Sequence, residues 1–146
     1  TFIKHYDYIF VHRYPGVPSV DLHRISPADV SKVGDNEIVP IRVFHGKLPI
    51  LGYRIGPLAY ITDCTGIADD DWKKLEGIDT LILDALRWNP HPTHWTVDQA
   101  MEAVRRIKPR HTYFTHMSHE IGLHEEVNHR LADDVELAYD GLIINV

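Results

Sequence analysis

Residues 43–47 read Val43-Phe44-His45-Gly46-Lys47, and the same pattern returns in Tyr60-Ile61-Thr62-Asp63 and in Tyr113-Phe114-Thr115-His116-Met117-Ser118-His119. Each stretch is an apolar, β-prone run that leads into a His or an Asp. A side chain at the point where a strand opens into a loop can be held rigidly and still face a cleft. Two imidazoles and one carboxylate suit Zn²⁺ or Mn²⁺, and a catalytic zinc needs three protein ligands and an open position. The pattern therefore predicts a metal site built from His45, Asp63 and His116.

The composition excludes several classes of protein. The chain has 146 residues, of which 44% are hydrophobic and 25% are charged, and this suits one globular core. Its formal net charge of −6 gives no general attraction to nucleic-acid phosphates. We expect no membrane-spanning helix and no signal peptide. The single cysteine, Cys64, excludes an internal disulfide, so we expect a cytoplasmic protein. We interpret Cys64 as a small buried residue rather than a ligand or nucleophile.

The hydrophobic periodicity predicts a mixed α+β fold. Strands are expected over residues 21–25, 38–44, 49–55, 58–62, 80–85 and 111–115, with a final hairpin of residues 135–139 and 142–146. Helices are expected over residues 1–12, 69–75, 97–107 and 119–131, and a loop over residues 27–36. Gly56-Pro57 fits a tight turn within an antiparallel meander, and Thr96 should cap the helix that begins at residue 97. Antiparallel strands followed by alternating helix and strand favour sheets with helices packed outside.

A Pro-rich loop carries two further histidines after the strand predicted at 80–85. It reads Asn89-Pro90-His91-Pro92-Thr93-His94-Trp95-Thr96. An imidazole there can steady a developing oxyanion or protonate a leaving group, and the alternative is a rigid connector with an exposed His. Asp84, before the loop, would orient such a histidine or would simply cap the loop.

His116 and His119 strengthen each other as candidates. One follows a predicted strand and the other lies three residues later at a predicted helix start, so both rings can point into one cleft. The chain has 11 histidines, and five of them show no partner pattern and are interpreted as surface residues: His5, His12, His23, His124 and His129.

Taken together, these segments resemble the metallo-β-lactamase superfamily. His45-Gly46-Lys47-Leu48-Pro49, Leu51-Gly52-Tyr53-Arg54, Tyr60-Ile61-Thr62-Asp63, His94, Thr115-His116-Met117-Ser118-His119 and Ala138-Tyr139-Asp140-Gly141 follow one another in that family's order. The resemblance is strongest to the branch that contains the phosphoribosyl cyclic phosphodiesterase of phosphonate breakdown. It is more distant to the tRNA 3′-processing endonucleases. It covers nearly the whole chain from about Tyr14.

The resemblance implies an αββα sandwich with a two-metal site between its sheets. By this resemblance His45 binds one metal ion, His116 binds the second and Asp63 bridges both. The position of His94 implies a catalytic group near the scissile phosphate. His119 matches a position whose side chain supports the metal ligands without binding the metal itself.

The chain also departs from the family pattern. The motif H-x-H-x-D-H, which supplies four more ligating side chains in the family, does not occur in this sequence. We therefore expect residues 1–146 to be the C-terminal half of a single domain. Such a half would expose an apolar sheet face and open strand edges. Alone it would be inactive or only weakly metal-binding, with one metal ion or none. It would pair with the other half of the sandwich or with a second copy of itself.

The sequence thus favours a metal-dependent hydrolase of phosphodiester bonds, acting on a small cyclic or nucleotide-like molecule. The acidic net charge argues against long nucleic acids as substrates. A thioester or lactone hydrolase on the same scaffold is an alternative, because one fold supports many chemistries. A second alternative is a non-catalytic half-domain that pairs with another chain.

Overall fold

The computed structural model describes residues 2–10, 15–18 and 20–146. The strands are β1 Ser31–Val33, β2 Asn36–His45, β3 Leu48–Ile55, β4 Leu58–Ile61, β5 Gly66–Ile67, β6 Thr80–Asp84, β7 His111–Thr115 and β8 Val135–Leu137. The α-helices are α1 Phe2–His5, α2 Asp7–Phe10, α3 Val97–Ile107 and α4 His124–Asn128. Two 3₁₀ helices span Asp69–Leu75 and His119–Ile121.

All strands belong to one sheet, in the order β1-β2-β3-β4-β6-β7-β8, with β5 paired to β2. Strands β2, β3 and β4 form the predicted antiparallel meander, and β6, β7 and β8 continue from β4 in parallel. Because β2 and β4 are both antiparallel to β3, they run in the same direction as each other. The carboxyl ends of β2, β4, β6, β7 and β8 therefore all lie at one edge of the sheet.

One face of the sheet forms the hydrophobic core. Ile61, Leu83, Phe114 and Leu137 lie side by side across β4, β6, β7 and β8, and none of them is more than 1% exposed. Helix α3 contributes buried side chains to the same core cluster. This row holds the strand ends in a fixed register, because a slip by one residue would turn the whole row toward solvent.

The opposite face is apolar but only partly covered. Tyr53, Tyr60, Ile82 and Tyr113 form a continuous row across β3, β4, β6 and β7. Tyr60 is 45% exposed, and the other three are half-buried. This face is therefore partly open to solvent.

Helix α3 has the predicted bounds and the predicted cap. Thr96 Oγ1 accepts a hydrogen bond from the Gln99 N–H, and the Gln99 side chain accepts one from the Thr96 N–H. This reciprocal pair satisfies two amide groups that a helix start otherwise leaves free. Lys108 ends the helix in the left-handed region, with φ 57°.

Three predicted elements are wrong. Residues 21–25 form no strand, and β1 instead lies inside the predicted loop 27–36, where it pairs with β2. The predicted helix 119–131 is divided into a 3₁₀ helix and α4, because Gly122 has φ 114° and cannot continue a helix. Residues 142–146 form no strand, and β8 pairs in parallel with β7 instead of closing a hairpin.

The N-terminal prediction, residues 1–12, holds only in part. Helices α1 and α2 are separated at Tyr6, and His12 and Tyr14 lie outside the described residues. Among the described helices, none has the length and apolar character needed to cross a membrane.

Candidate metal centre

The predicted site residues lie at the edge where the parallel strands end. His45 is the last residue of β2, and Asp84 is the last residue of β6. Asp63 comes two residues after β4, and His116 directly follows β7. Ligands of open α/β sheets bind outside the carboxyl ends of such strands.

Asp63 and His116 both have left-handed backbone conformations, with φ 58° and 60°. For residues other than glycine this region costs about 1–3 kcal/mol, and such strain clusters at functional sites. The two side chains meet, since Asp63 Oδ1 lies 3.5 Å from His116 Nε2. The strained turns therefore aim a carboxylate and an imidazole at each other from neighbouring loops.

The histidine rings form one cluster around His94. Its ring centroid lies 4.9 Å from that of His45 and 4.8 Å from that of His116. Potential ligand atoms of His45, Asp63 and His94 all lie within 4.8 Å of one another. His94 is therefore placed where it can serve as a metal ligand or as a proton donor.

Asp84 lies behind this cluster and is fully buried. Its Oδ1 accepts a hydrogen bond from the Cys64 N–H at 3.1 Å, and its Oδ2 lies 3.8 Å from His94 Nδ1. Both Oδ2 and Nδ1 are buried without a hydrogen-bond partner among the described residues. Burial raises the pKa of Asp84 to about 7, and burial lowers the pKa of His94.

His45 is fixed by the turn that follows β2. The Gly46 N–H donates to Thr65 Oγ1 at 2.9 Å, and Thr65 Oγ1 donates to the Phe44 carbonyl at 2.7 Å. Gly46 has φ 61°, and a Cβ there would lie 3.3 Å from Thr93 Cγ2. Glycine is thus favoured by the backbone conformation, and a side chain there would press against the loop that carries His94.

The donor set fits divalent metal ions. Imidazole nitrogens and carboxylate oxygens are ligands that Zn²⁺ and Mn²⁺ accept, and the unpaired buried atoms of Asp84 and His94 lie directly behind them. Asp63 lies within reach of His45 and His94 and also of His116. Its bridging role stays a prediction. The residues that would hold metal are His45, Asp63, His116 and, by distance, His94.

His119 lies at the start of a 3₁₀ helix with its side chain exposed. Among the described residues, the ring contacts of the cluster do not include it. Its supporting role therefore stays a prediction.

The predicted burial of Cys64 is confirmed. The side chain is fully buried, and burial raises the pKa of its thiol to about 12. A thiol of this kind is not a nucleophile at neutral pH. Cys64 instead acts through its backbone, since its N–H bonds Asp84 and its carbonyl accepts from the Trp95 N–H.

The sequence prediction named His91 as part of the loop but did not include it among the site residues, and it missed Arg87. His91 stacks on His94, with ring centroids 5.0 Å apart and an interplanar angle of 26°. Arg87 binds the carbonyls of Asn89 and Pro90. The two prolines beside His91 indicated a rigid loop, but no sequence signal pointed to Arg87.

Comparison with known proteins identifies the family. The sequence model described as a beta-lactamase superfamily domain matches residues 3–117. The chain belongs to the metallo-β-lactamase superfamily. Both the predicted family and the predicted α+β fold class are thus confirmed.

Solved structures support the same conclusion. A structure described as a new diphosphatase from the PhnP family is 38% identical, with a TM-score of 0.88 over 99% of this chain and 53% of that chain. Human tRNase Z, short form, is 20% identical, with a TM-score of 0.62 over 79% of this chain and 45% of that one. The Bacillus subtilis metallo-β-lactamase-fold protein YhfI is 16% identical, with a TM-score of 0.67 over 97% of this chain and 61% of YhfI. The last two share the fold alone.

A relative found by sequence comparison is named for a different activity from that of the diphosphatase. The octanoyltransferase of Porphyromonas gingivalis is 36% identical over 130 residues, which are 88% of this chain and 26% of that protein. This chain therefore spans about a quarter of the octanoyltransferase and about half of the diphosphatase. Most of the octanoyltransferase lies outside the match.

Proposed function

We propose that the protein containing this chain is a metal-dependent hydrolase of phosphodiester or diphosphate bonds in small, nucleotide-like molecules. The observation that carries the proposal is the cluster of His45, Asp63, His94 and His116 at the carboxyl edge of the sheet. The diphosphatase of the PhnP family, at 38% identity over almost the whole chain, supports phosphorus chemistry.

Two divalent ions bound here, zinc or manganese, would supply Lewis acidity toward the phosphoryl oxygens and the attacking water. The chain itself contributes a rigid set of ligands and a titratable group. His94 Nδ1 faces Asp84, so Nε2 is the nitrogen left to hold or release a proton toward the cleft. Asp84 would orient that ring if the 3.8 Å separation shortened to a hydrogen bond, as carboxylates commonly do for histidines at metal centres.

We also propose that the remaining metal ligands come from outside residues 1–146. Three or four ligating side chains are too few to enclose two metal ions, and the chain covers 53% of the diphosphatase. The partly exposed row Tyr53, Tyr60, Ile82 and Tyr113 offers an apolar face for the missing layer. Either the other half of the sandwich or a second copy of the chain would supply it. The cytoplasmic location stays a prediction.

The second candidate is an acyl hydrolase acting on a thioester or lactone. The observation that favours it is the 36% identity to the octanoyltransferase. We place it second because the match covers only 26% of that protein, so the name need not describe the matched part.

One experiment separates the two candidates. The protein that carries this chain is purified, its intact mass and metal content are measured, and it is assayed with bis(p-nitrophenyl) phosphate and with an octanoyl thioester. About two metal ions per chain and turnover of the phosphodiester alone would support the proposal. Turnover of the thioester alone would replace it with the second candidate, and a metal-free protein active on neither would leave the non-catalytic half-domain.

A further inference from the structure

The loop that carries His91 and His94 is closed at its base by main-chain hydrogen bonds. The Leu86 N–H donates to the Trp95 carbonyl, and the Val97 N–H donates to the Arg87 carbonyl, both at 3.0 Å. Arg87 thus lies at the base of a closed loop that carries His91 and His94.

The Arg87 side chain turns into this loop. Its Nε–H donates to the Asn89 carbonyl at 3.2 Å, and an Nη2–H donates to the Pro90 carbonyl at 3.1 Å. These two carbonyls immediately precede His91. A single planar guanidinium therefore sets the direction in which the chain enters the histidine-bearing turn.

The same guanidinium also reaches a second segment of the site. Its Nη1 forms an ion pair with the Glu120 carboxylate, on the 3₁₀ helix that follows His116. The neighbouring Trp88 donates from Nε1 to the Ile121 carbonyl at 2.9 Å. Two adjacent side chains thus tie the His91–His94 loop to the segment after His116.

We propose that Arg87 is the positioning residue that holds His91 and His94 in place against His45 and His116. The inference rests on the proposed function for its consequence in catalysis, but the arrangement itself is a property of the loop. Arg87 acts through the loop main chain, because its side chain bonds the Asn89 and Pro90 carbonyls and the Glu120 carboxylate.

The expected effect is on geometry more than on stability. The Arg87 and Glu120 side chains are 26% and 46% exposed, and an exposed ion pair contributes little free energy. The fork of donors matters more, because it binds two carbonyls and a carboxylate at fixed angles. A lysine carries the charge but cannot make this pattern of bonds.

The test compares Arg87→Ala and Arg87→Lys with Arg110→Ala in the full-length, metal-loaded protein. Arg110 is a matched control, because it pairs with Asp79 at 3.9 Å at the opposite edge of the sheet and is 73% exposed. We expect kcat for bis(p-nitrophenyl) phosphate to fall about 10- to 100-fold in Arg87→Ala with KM changed less than about threefold. Arg87→Lys should recover only a small part of the loss, and Arg110→Ala should match the wild type.

Hydrogen exchange of the Thr93 and Trp95 amides in the metal-free protein gives a readout that does not depend on activity. The Trp95 N–H bonds the Cys64 carbonyl, so its exchange reports how well the loop is held. We expect faster exchange at both amides in Arg87→Ala and unchanged exchange in Arg110→Ala.

The outcomes separate the two proposals. Wild-type exchange together with wild-type kcat in Arg87→Ala would overturn the positioning role. If the wild type hydrolyses no phosphodiester, the proposed function is overturned. Faster exchange in Arg87→Ala would still support the positioning role of Arg87. If Arg87→Ala does not fold, Arg87→Lys decides the question in the same two measurements, because it keeps the charge beside Glu120.

Discussion

The turns at the two edges of the sheet differ in the residues that adopt positive φ values. At the amino ends of β4 and β6 the turns use Gly56 and Gly77, with φ 55° and 69°, where glycine is the residue that tolerates the conformation. At the carboxyl ends, Asp63 and His116 adopt φ values in the same region without being glycines. Of the three non-glycine residues with positive φ among the described residues, two lie at the edge that carries the candidate metal centre, and the third, Lys108, lies at the amino edge.

The edges differ in their buried polar atoms as well. At the amino edge the Asp79 carbonyl accepts from the Arg110 and His111 N–H groups at 2.8 and 3.0 Å. In the part of the chain that the structure describes, both buried titratable atoms without a partner, Asp84 Oδ2 and His94 Nδ1, lie at the carboxyl edge. Strained backbone and unpaired charge-bearing atoms therefore occur together at the carboxyl edge, whereas the strained Lys108 at the amino edge is exposed and has no unpaired titratable atom beside it.

The largest expected effect comes from replacing Asp63 by glycine. Asp63→Gly removes the carboxylate that lies within reach of His45, His94 and His116, while glycine suits φ 58°. We expect metal affinity to fall more than about 100-fold, since even residues behind the ligands are worth about 10- to 100-fold. Metal content after dialysis and the unfolding temperature of the metal-free protein are the measurements.

The control for this change is Asp79→Ala, which removes a half-buried carboxylate at the opposite edge. It should leave the metal content unchanged. Wild-type metal content in Asp63→Gly would break the assignment of the carboxyl edge. A large drop in the unfolding temperature of that variant without metal would show that Asp63 supports the fold instead.

A smaller effect is expected from Asp84→Asn. The amide retains the oxygen that accepts from the Cys64 N–H, but it replaces the carboxylate facing His94 Nδ1. Because the orientation and basicity of His94 then change, we expect a loss of metal affinity of about 10- to 100-fold. A calorimetric titration with zinc measures this affinity. An affinity equal to that of the wild type would mean that Asp84 only caps the loop.

The smallest effect is expected at the amino edge, from Lys108→Gly. Lys108 ends α3 with φ 57°, an exposed position at which glycine is the favoured residue. Relief of the left-handed conformation should raise the free energy of unfolding by about 0.5–1 kcal/mol, partly offset by the greater freedom of glycine in the unfolded chain. Urea unfolding measures this change, and the metal content should stay at the wild-type value. A loss of metal would contradict the separation of the two edges.

Local signals predicted much of the scaffold. The bounds of α3 and β7 are those expected from periodicity, and Thr96 forms the expected cap. These elements depend on neighbours a few residues apart, which a sequence pattern displays directly. The β2–β3–β4 meander was predictable for the same reason, because short turns join its strands.

The wrong elements all depended on distant partners or on one backbone angle. The hairpin predicted around Gly141 does not form. Instead β8 pairs with β7, which joins residues more than twenty positions apart in the chain. The strand predicted at 21–25 does not form, and β1 pairs with the edge of β2. The helix predicted from His119 ended at Gly122 because of its positive φ. Periodicity carries no information about which edge a segment will find.

The sequence by itself determined which residue types end the strands, since His45, Asp63, Asp84 and His116 follow apolar runs whose direction and length are local properties. It also determined the family, through the order of those segments. Only the tertiary structure decided that these side chains meet, that His91 stacks on His94 and that Arg87 holds their loop. The reason is physical: strand ends converge because parallel pairing aligns them, and that alignment depends on contacts between residues far apart in the chain.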